Sequence, residues 1–279
     1  MGSVADRFLI GGELEVSRLG YGGMRLCGPN VTGWPPDREN ALAVLRRARE
    51  LGVDFFDTAD AYGPEVSELQ VAEALHPYEG ITVATKGGLT RNESGNWPPD
   101  GRPEYLKSAC EASLRRLRVE TIDLYQLHRP DPNTPFADSV GALAELQAEG
   151  KIRHVGLSNV DVAQLEEARR IVEIVAVQNE YNLGNRESED VLDACEREGI
   201  AFLPWFPLGA GELARPGGPV EEVARAHEAA PAQVALAWLL QRSPVTIPIP
   251  GTSSLEHLEE NLGARELRLS DDDLVRLAG

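Results

Sequence analysis

Gly52-Val53-Asp54-Phe55-Phe56-Asp57-Thr58-Ala59-Asp60-Ala61-Tyr62-Gly63 is the stretch on which the fold turns. Val53 to Phe56 is mostly apolar and reads as a buried strand. The chain then becomes polar at once, with Asp57, Thr58, Asp60 and Tyr62 in a short loop. Small residues at Ala59, Ala61 and Gly63 let that loop lie close against its neighbours. A carboxylate at a strand tip with a phenol five residues on is either an acid with its electrostatic support or ordinary turn chemistry.

Outward from this stretch the same unit repeats. Upstream, Asp37 caps a helix through Leu51, with Ala41, Val44, Leu45, Ala48 and Leu51 on one face. Before it lie a Gly- and Pro-rich loop over 26–37, a strand over Leu19–Met24, and a hairpin of Phe8–Ile10 and Glu13–Val16 turning at Gly11-Gly12. Downstream, a helix over Glu65–Leu75 is followed by strands at Ile81–Thr85, Ile122–Leu127, Ile152–Leu157, Ile174–Val177, Ile200–Leu203 and Val245–Ile249. The helices between and after them fall at Pro103–Leu117, Phe136–Ala148, Val162–Arg170, Ser188–Arg197, Pro231–Gln241 and Leu255–Asn261, with an extra short one near 220–228. Buried β-branched runs alternating with amphipathic helices specify parallel strands. Eight such units in 279 residues specify one α/β domain over 1–279, a (β/α)8 TIM barrel with an N-terminal hairpin. The alternative is a doubly wound sheet, but Gly20-Tyr21-Gly22-Gly23 is not its G-x-G-x-x-G fingerprint.

Composition narrows the function. A formal charge of −18 argues against a nucleic-acid surface, which needs clustered cations. No apolar run reaches the ~18 residues of a membrane span, and the opening residues do not read as a signal peptide. Cys27, Cys110 and Cys195 are odd in number and widely spaced, which fits buried thiols in a reducing cytoplasm. The five histidines show no metal-ligand spacing. Only three lysines occur, so Lys86 at the end of an apolar run stands out.

Chemistry in barrels gathers at the C-terminal strand ends. Read in order, those ends carry Asp57 and Tyr62, Lys86, His128, Ser158 and Asn159, Gln178, Trp205, and Pro250-Gly251-Thr252. Proton transfer to a carbonyl fits this set. A phenol with an ordinary pKa of ~10 needs a nearby ammonium to act near neutrality. Lys86 is the candidate, Asp57 would hold it charged, and His128 would donate to the substrate oxygen. Carbonyl reduction also needs a hydride, which none of these side chains supplies, so a cofactor must.

The chain resembles the aldo-keto reductases over nearly its whole length. The matching stretches are Gly52 to Ala59 with Tyr62-Gly63, Ala84-Thr85-Lys86, Asp123 to His128, Gly150 to Arg153 with Gly156 to Asn159, Gln178 to Asn182, Pro207 to Gly209, and Ile249-Pro250-Gly251 running to Glu260-Asn261. The resemblance implies a TIM barrel that uses NADP(H), with NAD(H) as second candidate, to reduce a small-molecule carbonyl. It implies a tetrad of Asp57, Tyr62, Lys86 and His128, with Tyr62 the general acid. It places Ser158, Asn159 and Gln178 on the nicotinamide carboxamide and Trp205, usually a tyrosine, on the nicotinamide ring. Pro207, Leu208 and Gly209 fall in the pyrophosphate loop, Phe206 is a further cofactor-binding residue, and Gly23, Met24 and Arg25 fall beside the ribose or substrate.

Departures lie at the adenosine end. Where the family has a lysine after Ile-Pro and an arginine six residues later, this chain has Gly251 and His257. Pro250, Thr252, Ser253 and Ser254 remain beside a helix N-terminus that favours an anion, and Glu260 and Asn261 match residues that meet the adenine. Trp205 to Gly209 and Pro250 to Ser254 resemble the bacterial pyridoxal-reductase-like subgroup, implying a pyridoxal-like or other small aromatic carbonyl. Substrate choice falls to loops 26–36, 89–102 and 210–218, where Trp34 and Trp97 either line a pocket or pack the loops. The chain stops soon after Asp271-Asp272-Asp273, from which a more open pocket is expected. Two other functions fit the same fold: a cofactor-sensing binding protein, and a lyase or isomerase using a Lys86 Schiff base.

Overall fold

Short runs of β-branched and aromatic residues pair in chain order. The computed structural model describes residues 6–92, 95–209 and 218–278. Seven parallel strands form one sheet: β3 (Tyr21–Gly22), β4 (Phe55–Asp57), β5 (Thr82–Gly87), β6 (Ile122–Leu127), β7 (Ile152–Ser158), β8 (Ile174–Gln178) and β9 (Ala201–Phe202). Crossover helices link them: α1 (Arg38–Glu50), α2 (Val66–Leu75), α3 (Pro103–Leu117), α4 (Phe136–Ala148), α5 (Val162–Ala168) and α6 (Glu189–Glu198). After β9 come α7 (Pro219–Ala226), α8 (Pro231–Arg242), α9 (Leu255–Leu262) and α10 (Asp271–Ala278). The N-terminal β1 (Arg7–Ile10) and β2 (Leu14–Ser17) pair antiparallel, as the Gly11-Gly12 turn implied. No helix among the described residues is long and apolar enough to cross a membrane.

Three readings need correction. Residues 245–249 do not form a ladder strand. Pro244, Pro248 and Pro250 lack the N–H that a ladder requires. The segment still joins both sheet edges by single bonds: Phe202 donates to Val245 O, Ile247 to Phe202 O, Gly20 to Pro248 O and Gly22 to Pro250 O. The first strand is shorter than Leu19–Met24 because the chain turns into a 3₁₀ helix over Gly23–Leu26. A last helix, α10, follows the helix expected at Leu255–Asn261, with Asp271, Asp272 and Asp273 in its first turn, where carboxylates favour a helix start.

The closing segment is latched from below. Buried Arg18 donates to the carbonyls of Leu240, Ser243 and Thr246 at 2.7, 2.6 and 3.2 Å. Gly22 and Gly251 allow the close approach above, since a Cβ on Gly251 would lie 2.5 Å from Gly22 O.

Two apolar clusters result. One fills the space between sheet and helices, and includes Leu45, Leu75, Leu143 and Trp238. The other lies inside the curl, where Phe55, Ala84, Leu124 and Ala176 pack with Ile10, Leu14 and Val16 of the hairpin. Strand side chains alternate with period two. The next inward residues above Phe55, Ala84, Leu124 and Ala176 are therefore Asp57, Lys86, Gln126 and Gln178. Asp57 pairs with Ala84, one inward step before Lys86, and Lys86 pairs with Gln126, so the polar residues are staggered from strand to strand and meet through their side chains. The inner core thus gives way to a polar layer within a single step of each strand.

Candidate active site

That polar layer is fully knit. Lys86 is 0% exposed, and its Nζ donates to Asp57 Oδ2 at 2.6 Å, Thr58 O at 2.9 Å and Tyr62 Oη at 3.3 Å. The other Asp57 oxygen, Oδ1, accepts from Gln178 Nε2 at 2.8 Å and Gln126 Nε2 at 3.1 Å. Gln178 Nε2 also donates to Gln126 Oε1 at 3.2 Å. An isolated ammonium would be intolerable at this depth; here every donor direction is met. Tyr62 enters from the β4–α2 loop, its ring edge-to-face with His128 at 5.7 Å between centroids.

Electrostatics follow from depth. Burial pulls the Lys86 ammonium down, but Asp57 and Tyr62 more than offset it, and the net direction is up. Burial pushes the Tyr62 phenol up, the Lys86 ammonium pulls it down, Asp57 pushes it up again, and it settles above the ordinary value. The ammonium thus acts in the direction read from sequence, but burial outweighs it. Tyr62 keeps its proton, the state a proton donor requires. Burial first, then Lys86 and Arg129, hold the His128 imidazolium well below its usual range, so the ring is neutral at neutral pH. A buried nitrogen of that ring, Nδ1, has no partner among the described residues.

Above this floor opens a cavity of about 610 Å³. Of the residues singled out from sequence, Gly23, Met24, Arg25, Asp57, Tyr62, His128, Ser158, Asn159, Gln178, Trp205, Phe206, Pro207, Leu208, Pro250 and Gly251 line it. Lys86 lies beneath. Gly209 stands just off the wall, in the turn where its N–H donates to Phe206 O. Thr252, Ser253, His257, Glu260 and Asn261 lie outside the cavity. There Ser253 O accepts from Asn40 Nδ2 at 2.7 Å, and His257 is exposed in the first turn of α9, its backbone N–H capped by Ser254 Oγ.

Asn159 takes a left-handed conformation, φ 60°, and its side chain donates to His128 O and Ser158 Oγ, both at 3.0 Å. That strain is local to the site and is held by these bonds. Trp205 packs edge-on to Phe206, and its buried Nε1 has no partner among the described residues.

The tryptophans separate cleanly. Trp34 is 45% exposed under the Arg38 guanidinium and does not line the cavity. Trp97 lines it, edge-on to Tyr62 at 6.4 Å, with the Arg91 guanidinium 3.9 Å above its ring. Arg91 in turn donates to Asn30 O and Thr32 Oγ1, so the loops over 26–36 and 89–102 meet beside Tyr62. Of the third loop, 210–217 lies outside the described residues.

Sequence reading missed Gln126 and Arg129. Gln126 had a signal, being one inward step before His128 on a strand of otherwise apolar inward residues. Arg129 directly follows His128 and lines the cavity.

A sequence profile of the aldo/keto reductase family matches residues 18–279. The chain belongs to the aldo/keto reductase family. As an aldo/keto reductase it is an oxidoreductase, and its relatives agree. It is 48% identical over 266 residues to an uncharacterized oxidoreductase of Schizosaccharomyces pombe, covering 95% of this chain and 87% of that protein. It is 46% identical over 275 residues to the pyridoxine 4-dehydrogenase of Escherichia coli, covering 96% of each. A glycerol dehydrogenase from Gluconobacter oxydans superposes with a TM-score of 0.89 at 27% identity, over 99% of this aldo/keto reductase and 94% of that chain. An aldo-keto reductase from Klebsiella pneumoniae, solved in complex with NADPH, gives 0.83 at 27% identity, over 98% and 93%.

Proposed function

We propose that this chain is an NADPH-dependent reductase of aldehydes and ketones in which Tyr62 is the general acid. One observation carries the reading: a protonated phenol at the floor of a cavity, 3.3 Å from a buried ammonium that a carboxylate holds at 2.6 Å. Bound NADPH supplies the hydride to the carbonyl carbon. Tyr62 and neutral His128 offer donors to the carbonyl oxygen. As charge grows on that oxygen, Tyr62 releases its proton to it, since an alkoxide is a much stronger base than a phenolate. The Lys86 ammonium stabilises the phenolate left behind, and Asp57 keeps Lys86 aimed.

The residues present fit the cofactor. Gln178 spends its amide hydrogens on Asp57 and Gln126, which leaves Oε1 to accept from a carboxamide. Ser158 and Asn159 hold the rest of that group, and Trp205 takes the ring face. Phe206, Pro207, Leu208 and Gly209 take the pyrophosphate, and Gly23, Met24 and Arg25 the ribose or substrate. Pro250, Gly251, Thr252, Ser253 and His257 take the ribose 2′-phosphate, and Glu260 and Asn261 the adenine. The NADPH-bound Klebsiella pneumoniae neighbour supports NADP(H), and the substitution of His257 for an arginine keeps NAD(H) as second candidate. The Escherichia coli relative supports a pyridoxal-like or other small aromatic carbonyl, with Trp97 as an aromatic wall.

The same reading treats the chain as one domain, a (β/α)8 barrel in which residues 245–250 are the eighth stave. The cross-edge bonds of that segment support it. The function is tested by following NADPH absorbance with 4-nitrobenzaldehyde and pyridoxal. Steady, enzyme-dependent oxidation is expected; cofactor binding without turnover on any carbonyl would instead support a sensor.

A further inference from the structure

The cavity has a charge opposite to that of the protein. The chain carries 45 acidic and 27 basic residues, yet the charged side chains lining this cavity are Arg25, Asp57 and Arg129. Asp57 is committed to Lys86, so the described walls present two arginines and no uncompensated carboxylate. Arg25 belongs to the Gly251 side, where its Cγ lies 3.5 Å from the position a Gly251 Cβ would take. Arg129 belongs to the other side, one residue after His128.

Arg129 is exposed, and among the described residues its guanidinium makes no hydrogen bond, ion pair or ring contact. The backbone that presents it is fixed. Asn159 holds the carbonyl of His128 at 3.0 Å. Two residues beyond Arg129, Asp131 accepts from Gly101 N at 3.1 Å, Asn133 N at 2.9 Å and Thr134 Oγ1 at 2.8 Å. The arginine also borders a second, more polar cavity of about 480 Å³ that shares Asn159 and Trp205 with the first. The acids of that second cavity, Asp161, Glu180 and Glu187, make no ion pair with it.

A planar, permanently charged fork on a rigid turn beside the carbonyl-activating histidine suits one ligand chemistry. It fits a carboxylate or phosphate on the substrate, gripped by two parallel N–H bonds. We infer that Arg129 is the substrate-anion residue of this site, and that the preferred substrate is an aldehyde or ketone bearing an anionic group. This rests on the reductase reading above.

The test compares matched substrates in steady-state reduction with NADPH. One pair is 4-carboxybenzaldehyde and its methyl ester, methyl 4-formylbenzoate; the other is pyridoxal 5′-phosphate and pyridoxal. The wild type is expected to favour the charged member of at least one pair by about tenfold or more in kcat/KM, mainly through KM. The pair that discriminates tells carboxylate from phosphate. Arg129→Gln should collapse that ratio to near one, Arg129→Lys should restore part of it, and the ratio should fall with added salt. A ratio unmoved by Arg129→Gln, or a wild type that prefers the neutral members, would overturn the inference while leaving the reductase intact. An NADPH affinity that falls with Arg129→Gln while the substrate ratio holds would overturn it too, assigning the arginine to the cofactor. If the wild type reduces none of the four, the reductase reading itself fails.

Discussion

The floor of the cavity and the outer rim proposed to take the adenosine end of the cofactor are built by opposite means. On the floor, Asp57, Lys86, Gln126 and Gln178 are each 0–2% exposed, and each is bonded to another of the four. Their positions are set by strand register and by the apolar layer beneath them. On the rim, Ser253 and His257 are exposed, and neither side chain is locked by packing. A reaction that needs proton transfer over a fraction of an ångström calls for the first kind of construction. Grip on a distant phosphate tolerates the second, because charge attraction falls off slowly and solvent is displaced on binding. The rim is thus where cofactor choice can drift without loss of catalysis.

Removing Lys86 should have the largest effect. Lys86→Met deletes the cation beside Tyr62 and leaves Asp57 buried without its partner. A loss of ~10²-fold or more in kcat is expected, together with about 3 kcal/mol of stability in urea unfolding. Near-normal values of both would mean that the buried pair does not organise the floor.

Next comes Gln126. Gln126→Leu removes one of two amide donors to Asp57 Oδ1 and should lower kcat by about tenfold, equivalent to one lost charge-assisted bond. Gly156→Ala is a steric route to the same end, since a Cβ there would lie 2.8 Å from Gln126 Cγ. If both variants reduce aldehydes at the wild-type rate, Gln178 alone suffices to hold Asp57.

His257→Arg should act on the rim only. It is expected to tighten NADPH about tenfold and leave NADH affinity and kcat unchanged, read by quenching of protein fluorescence. Equal affinities for both cofactors, unmoved by the arginine, would place the 2′-phosphate elsewhere.

The smallest expected effect is of pH. The imidazolium of His128 forms only below its lowered pKa, beneath the ordinary 6.5, and Tyr62 loses its proton only above 10.0. Between those limits both groups keep the form that reduction uses. The kcat/KM for a neutral aldehyde should therefore be level from about pH 7 to about pH 9. An inflection near pH 6.5 would show a solvent-exposed histidine in control.

Much of this was legible in the sequence because the floor is a product of periodicity. An apolar run that ends in one polar residue can face that residue inward only at the strand tip, so Asp57, Lys86, His128 and Gln178 announced themselves. Gln126 was overlooked because it lies before the strand tip and not at it, although its two-residue spacing from His128 faces it inward. The closing segment misled for a related reason. The apolar residues of Val245–Ile249 have strand composition, but the prolines at 244, 248 and 250 reduce its ladder to a few single bonds. Arg129 was overlooked because a cation at a loop start is ordinary in any sequence. Only the cavity wall and the lack of a partner set it apart. Trp34 and Trp97 had equal claims as text, and each lies under an arginine; the edge-on packing on Tyr62 is what places Trp97 at the cavity.

The central claim is that Tyr62 delivers the proton and takes no part in gripping the cofactor. Single-turnover oxidation of bound NADPH by saturating 4-nitrobenzaldehyde tests it in Tyr62→Phe. The account predicts a rate at least ~10²-fold below wild type, with NADPH affinity within about twofold. A rate within twofold of wild type would contradict it, and another group would have to be the acid.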